Sequence, residues 1–253
     1  MNPPTDADLH RTFLQARRVV LASSRSGALQ ESGGWQLYDS DTGLGPINQA
    51  MTLDGAGSAS IEVVGEWYRK RGAAYSLVLQ DGRDQQLIED ARRSGFTIAQ
   101  SQPVMVRSLP CPAEMNRALH LRPVESSSDA AAFLAVRRDP TKVRPPDDTE
   151  TAFILRLTES GTFRYFVAEL EGEVVGAVTS SCVGETAMIS NLLVAPAWRL
   201  RGLGADITAR SAANWPQAKY VTLEASSEGA FLYTSMGFER RFNYVRFVLP
   251  EAG

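Results

Sequence analysis

Val194-Ala195-Pro196-Ala197-Trp198-Arg199-Leu200-Arg201-Gly202-Leu203-Gly204-Ala205 is the stretch on which the reading of this 253-residue chain turns. It closes an almost wholly apolar run, Ala187 to Val194, suited to a central strand, and the residues from about Gly202 to Asn214 follow with helical spacing. Strand, glycine-containing turn and helix come in that order. The first amides of such a helix have no partner further back in it and sit at the positive end of its dipole, so an anion such as pyrophosphate can accept their hydrogen bonds. Glycine at 202 and 204 leaves room for that approach. Arg199 and Arg201 add charge beside the anion, and a charge-assisted hydrogen bond contributes about 1.5 to 3 kcal/mol. The stretch is not a Walker loop, because no Gly-Lys-[Ser/Thr] follows. Nor is it a dinucleotide fingerprint, because the first glycine of G-x-G-x-x-G is missing.

Outward from this stretch, Val221 to Glu224 reads as a strand, Gly229 to Met236 as a short helix closed by Gly237, and Tyr244 to Leu249 as a final strand. Upstream, Phe163 to Leu170 and Val174 to Ser181 read as a hairpin about Glu171-Gly172-Glu173, preceded by a helix over Ser127 to Arg138 and a looser stretch, Asp139 to Thr149. The segment Ser108 to His120 breaks the apolar periodicity with two prolines between a strand-like Val104 to Leu109 and a fresh strand starting at Leu119. A domain boundary is expected there, dividing 1–112 from 113–253, and the length suits two domains of roughly 100 to 200 residues.

The two halves echo each other. Tyr75-Ser76-Leu77-Val78-Leu79, then a helix ending in Gly95-Phe96, then a strand, has its counterpart in Tyr220 to Leu223, a helix ending in Gly237-Phe238, and a strand. Carrying the alignment back from Tyr75 and Tyr220 sets Asp54, Gly57 and Ala59 opposite Arg199, Gly202 and Gly204, so the first copy has lost the basic residue. Anchoring on the Gly-Phe pairs sets Ala91 opposite Tyr233, where no acid group remains.

The central stretch resembles the coenzyme-binding motif of the GNAT acetyltransferase superfamily, [Arg/Gln]-x-x-Gly-x-[Gly/Ala] after a strand ending in Val-x-Pro, with Leu-Tyr-x-x-x-Gly-Phe downstream. The likeness runs roughly from Leu119 to Leu249. It implies an α/β fold with a mixed sheet, two GNAT-like domains of which the first is degenerate, and acetyl-CoA as co-substrate. It also implies that the backbone at Leu192, Leu193 and Val194 pairs with the pantetheine arm, and that Arg199, Leu200, Arg201, Gly202, Leu203, Gly204 and Ala205 hold the pyrophosphate. Tyr233 falls where relatives commonly have a tyrosine beside the coenzyme sulfur, placed to protonate the departing thiolate. Ser226 falls where many have an asparagine on the coenzyme, and Met188 where some have a glutamate base. Glu185 and Glu224 are the substitutes nearby, and Ser190 could orient a water.

The remaining composition sets limits. A net charge of -3 and a pI near 5.6 give no broad positive field, so nucleic acid is not an expected partner. No run of about 18 apolar residues suggests a membrane span, the polar start at Met1 to His10 does not read as a leader, and a cytoplasmic protein is expected. Cys111 and Cys182 are far apart and the histidines, His10 and His120, share no ligand spacing with them, so neither a metal nor a disulfide is expected. The acceptor implied is a small-molecule or peptide amine. A non-catalytic acyl-CoA-binding module, or an acyltransferase resembling mycothiol synthase, are the alternatives.

Overall fold

The computed structural model describes residues 3–24, 27–39, 48–54, 59–111, 118–137 and 148–250. In chain order the elements are α1 (Asp6–Ala22), β1 (Ala28–Ser32), β2 (Trp35–Asp39), β3 (Gln49–Thr52), α2 (Ile61–Arg69), β4 (Ser76–Gln80), α3 (Gln85–Arg93) and β5 (Thr97–Ser108). They continue with β6 (Leu119–Pro123), α4 (Ser127–Arg137), α5 (Asp148–Glu159), β7 (Phe163–Leu170), β8 (Glu173–Val183), β9 (Thr186–Val194), a 3-10 turn (Pro196–Trp198), α6 (Leu203–Ala213), β10 (Tyr220–Glu224), α7 (Ser227–Ser235) and β11 (Glu239–Val248).

Two compact units result, Pro4–Val104 with the stretch from Arg240 onward, and Met105–Glu239. The expected boundary after Pro112 falls outside the described residues. On either side of it the units depart from a simple cut, for two reasons. Residues from Met105 on already serve the second unit, where the Thr222 hydroxyl donates to the Met105 carbonyl at 3.0 Å and the Leu109 amide to the Lys219 carbonyl at 2.8 Å. The last strand, expected with the second half, belongs to the first unit.

In the N-terminal unit the strand order is β1-β2-β3-β4-β11-β5. β3 and β4 are parallel, and β11 runs antiparallel to β4. β11 is held there by its apolar alternation, with Val245 and Phe247 buried among Leu77, Leu79 and Tyr68. The Asp81 carboxylate also accepts the Asn243 amide N–H at 2.6 Å and its side-chain N–H at 2.5 Å.

In the C-terminal unit the order is β5-β10-β9-β8-β7-β6. The hairpin β7–β8 turns on Glu171 (φ 54°) and Gly172 (φ 83°), and positive φ at both residues is what a tight turn matched to strand twist requires. One face of this sheet packs Ile189, Leu223, Phe166 and Ala168 against Leu203 and Ile207 of α6 and Tyr233 of α7. On the other, Tyr165 meets Phe133 of α4 edge to face at 5.1 Å. The helix α5 was not expected. It begins at Asp148, within the stretch expected to be loose, of which residues 139–147 lie outside the described residues, and Phe153, Ile154 and Leu157 bury one side of it.

The repeat is visible as geometry. β3-α2-β4-α3-β5 and β9-α6-β10-α7-β11 follow one order. Both α3 and α7 end in a left-handed glycine, Gly95 (φ 84°) and Gly237 (φ 79°), with the next phenylalanine amide donating back to Ala91 O at 3.0 Å and to Tyr233 O at 2.9 Å.

Candidate functional site

The loop between β9 and α6 combines two backbone positions that L-residues seldom adopt. Leu200 has φ 61° with its side chain fully exposed, and Gly202 has φ 78° and opens the helix. Gly202 provides no capping side chain, so the first helical amides, of Leu203 and Gly204, have neither a cap nor an acceptor in the helix. The two glycines serve different ends. A Cβ on Gly202 would point into open space but at a strained φ, whereas a Cβ on Gly204 would lie 3.0 Å from Leu232 Cδ2 and 3.9 Å from Leu192 Cδ2. Gly204 therefore lets α6 close on α7 rather than clearing a path to solvent. Arg199 and Arg201 are both exposed. The first is tied by its Nε to the Val194 carbonyl at 3.2 Å, and the second lies with its guanidinium 4.8 Å from the Trp198 ring centroid. Each guanidinium thus keeps further donors in the loop that leads to the helix start while being partly held in place.

The strand that feeds this loop is bulged. Ala177 pairs with Leu193 but Thr179 with Ser190, so two residues of β9, Asn191 and Leu192, oppose one of β8. Asn191 takes the left-handed conformation (φ 52°), and its side-chain N–H donates to Thr179 Oγ1 at 3.3 Å. Gly176 permits the close approach, since a Cβ there would lie 2.6 Å from the Leu193 carbonyl oxygen. On its other side β9 pairs with β10 only from Thr186 to Ile189, with Leu223 as the last partner, while β9 continues to Val194. The pairing stops there, one residue before β10 ends at Glu224, while β9 runs on. The backbone edge of residues 190–194 has no β10 partner, and an extended ligand can add there as a strand would.

Tyr233 is buried in α7 at 7% exposure, its ring edge to face with Phe238 at 5.4 Å. Burial pushes its phenol pKa up, opposed by a hydrogen bond with the Thr208 side chain of α6, so the phenol keeps its proton at neutral pH. The Thr208 hydroxyl donates to the Gly204 carbonyl at 2.8 Å, which links Tyr233 to the first turn of the loop helix. Ser226 accepts the Gly229 amide at 3.0 Å and so acts as the N-cap of α7.

The two candidate bases separate. Glu224 ends β10 one residue past the last pair, and alternation sets it and Ser190 on the face opposite Leu223 and Ile189. Glu185 precedes β9 at its far end, roughly 30 Å of strand from Val194. There it is exposed and paired with Lys219. The structure does not bring Glu185 to the loop, because parallel pairing puts the start of β9 beside the start of β10. Met188 is buried one step before the last paired residue, Ile189. The bulge residue Asn191, the glycine Gly176 and the Tyr233 partner Thr208 escaped the sequence reading. Asn191, a polar residue tolerant of positive φ inside Ile-Ser-Asn-Leu-Leu-Val, was the available signal.

In the N-terminal unit the corresponding strand ends are tied together. The Asp84 carboxylate accepts the Thr52 hydroxyl of β3 and the Gln80 amide of β4, each at 2.8 Å. Asp54, aligned with Arg199, is flanked by Arg11 at 3.3 Å and Arg83 at 3.6 Å. His10 Nε2 lies 2.6 Å from the Thr52 carbonyl and must donate to it, so Nδ1 accepts from the Tyr244 hydroxyl at 2.7 Å. Gly57 lies outside the described residues, and Ala91, aligned with Tyr233, is buried without a polar group.

The C-terminal unit thus joins a bulged strand to a glycine-containing loop and a helix, and likeness to solved structures gives the chain the fold of two GNAT-like domains. Residues 161–240 match the family model described as acetyltransferase (GNAT) domain. Among similar solved structures is a GCN5-related N-acetyltransferase from Kribbella flavida, 18% identical, with a TM-score of 0.70 over 97% of this chain and 96% of that one. A tandem GNAT protein from the clavulanic acid biosynthesis pathway is 14% identical, with a TM-score of 0.58 over 99% and 98%. A GCN5-related N-acetyltransferase from Sphaerobacter thermophilus is 20% identical, with a TM-score of 0.58 over 79% and 72%. No curated protein matches the sequence.

Proposed function

We propose that the C-terminal unit binds acetyl-CoA and transfers its acetyl group to a primary amine by direct attack. The observation that carries this reading is that β9 loses its β10 partner after Ile189 and runs on, unpaired on that side, to Val194 and into a loop with two arginines and an uncapped helix start. Leu203 and Gly204 amides with Arg199 and Arg201 suit a pyrophosphate, and the edge at Leu192, Leu193 and Val194 suits the amide-bearing pantetheine arm. The co-substrate supplies the thioester. Tyr233 holds a phenolic proton for the departing thiolate, and Glu224 stands on the opposite face of the sheet to accept a proton from the amine or to hold it as an ammonium before attack.

A second reading, a non-catalytic acyl-CoA-binding module, draws on Met188 in place of an acid group and on Ser226 being spent as a helix cap. One experiment addresses both. Acetyl-CoA titrated calorimetrically into the protein should bind once per chain and fail to bind Gly202→Glu. Tyr233→Phe should keep that binding while turnover with a panel of amines falls by about 100-fold to 10,000-fold. Absence of binding to the native protein removes the coenzyme assignment. Intact binding with turnover indifferent to Tyr233 removes the acid.

A further inference from the structure

We infer that Arg107, on the strand that ends the first sequence copy, is the positioning residue for Tyr233. This rests on the catalytic reading of Tyr233 given above. α7 is a nine-residue helix without a basic residue in its last turn, so its final carbonyls and the negative end of its dipole have no local counter-charge. Its counterpart α3 carries Arg92 and Arg93 there. In α7 the cation comes from elsewhere in the unit, because Arg107 Nη1 donates to the carbonyl of Met236, the C-cap residue.

Three features tie this contact to Tyr233. Tyr233 sits three residues before Met236, and its own carbonyl accepts the Phe238 amide in the same capping turn. Phe238 packs on the Tyr233 ring. Gly237 between them is left-handed, and its missing Cβ leaves the space that the Arg107 guanidinium occupies beside the cap. Arg107 Nε is buried without a hydrogen-bond partner, a cost that is kept although a shorter residue would avoid it. The strand beneath is fixed by the Thr222 and Leu109 hydrogen bonds to β10, so the guanidinium acts from a rigid base.

The test is fluorine NMR of protein labelled with 3-fluorotyrosine, in which the Tyr233 resonance is the one missing from Tyr233→Phe. Arg107→Gln should shift and broaden that resonance while the other tyrosine signals stay in place, and Arg107→Lys, which keeps charge and a donor, should return it most of the way. A Tyr233 signal unmoved in Arg107→Gln, even at lowered thermal stability, would reduce Arg107 to a general staple and overturn the inference. Should Arg107→Gln not fold, Arg107→Met, which keeps the stem and removes the donors and the charge, takes its place and must move the same resonance for the inference to survive. The signal reports on the phenol without any amine or coenzyme, so a failed coenzyme titration sinks the catalytic reading and leaves this result standing.

Discussion

His10 has no exposed surface, yet both its ring nitrogens are engaged, by Thr52 and Tyr244. Burial lowers its pKa from 6.5 to about 4, helped by the Arg83 charge and opposed by Asp54 and Asp84. The unfolded chain therefore takes up a proton at His10 that the folded chain refuses. The stability this group contributes is fully present above pH 6.5 and is lost as the pH falls toward 4, by on the order of 3 kcal/mol. Urea titrations between those limits should show the decline, and His10→Gln should flatten it; a variant with the native slope would mean that another group is responsible. Nothing near His10 in the sequence announces this, because its partners are forty and more residues away. The loop residues Arg199 to Ala205 were legible for the opposite reason, since their chemistry rests on adjacent backbone. Glu185 is near the loop in sequence alone, since a strand of nine residues carries its two ends far apart.

Among the elements, α6 shows how two glycines of one motif differ. At Gly202 an alanine would have to hold φ near 78°, which costs roughly 1 to 2 kcal/mol. At Gly204 an alanine gains helix propensity of about 1 kcal/mol, makes an ordinary contact with Leu192 at 3.9 Å and crowds the end of the Leu232 side chain at 3.0 Å. Gly202→Ala should therefore lower the denaturation midpoint while Gly204→Ala leaves it within about 1 kcal/mol of the native value. Equal losses would show that the first turn of α6 cannot yield toward α7. Hairpin β7–β8 and helices α6 and α7 were readable because turn residues and apolar spacing agreed. α5 is harder to see, because a proline-bearing stretch precedes it, although Phe153, Ile154 and Leu157 follow with helical spacing.

At the level of the whole molecule, a boundary placed by proline content divides the sequence but not the units. Residues 113–253 taken alone would lack Met105 to Leu109, which border β10 and accept the Thr222 hydroxyl, and would carry a β11 whose sheet neighbours are β4 and β5. That fragment should aggregate or show no cooperative thermal transition by circular dichroism. A soluble fragment melting as sharply as the full chain would contradict the assignment of β11. Local patterns could mark β11 as a strand, but no periodicity says which of two similar units a strand completes.

The placement of β11 bears on how the protein is made. Within its unit it lies between β4 and β5, strands synthesised well over a hundred residues earlier. While a ribosome is still translating the C-terminal unit, the earlier unit has a gap in its sheet and two backbone edges seeking a partner. Closure waits for residues 239–248 to emerge, so a product that stops short of them leaves both strands open to chaperones and proteases. Translation through the final strand thus doubles as the signal that the first-made half may complete its fold.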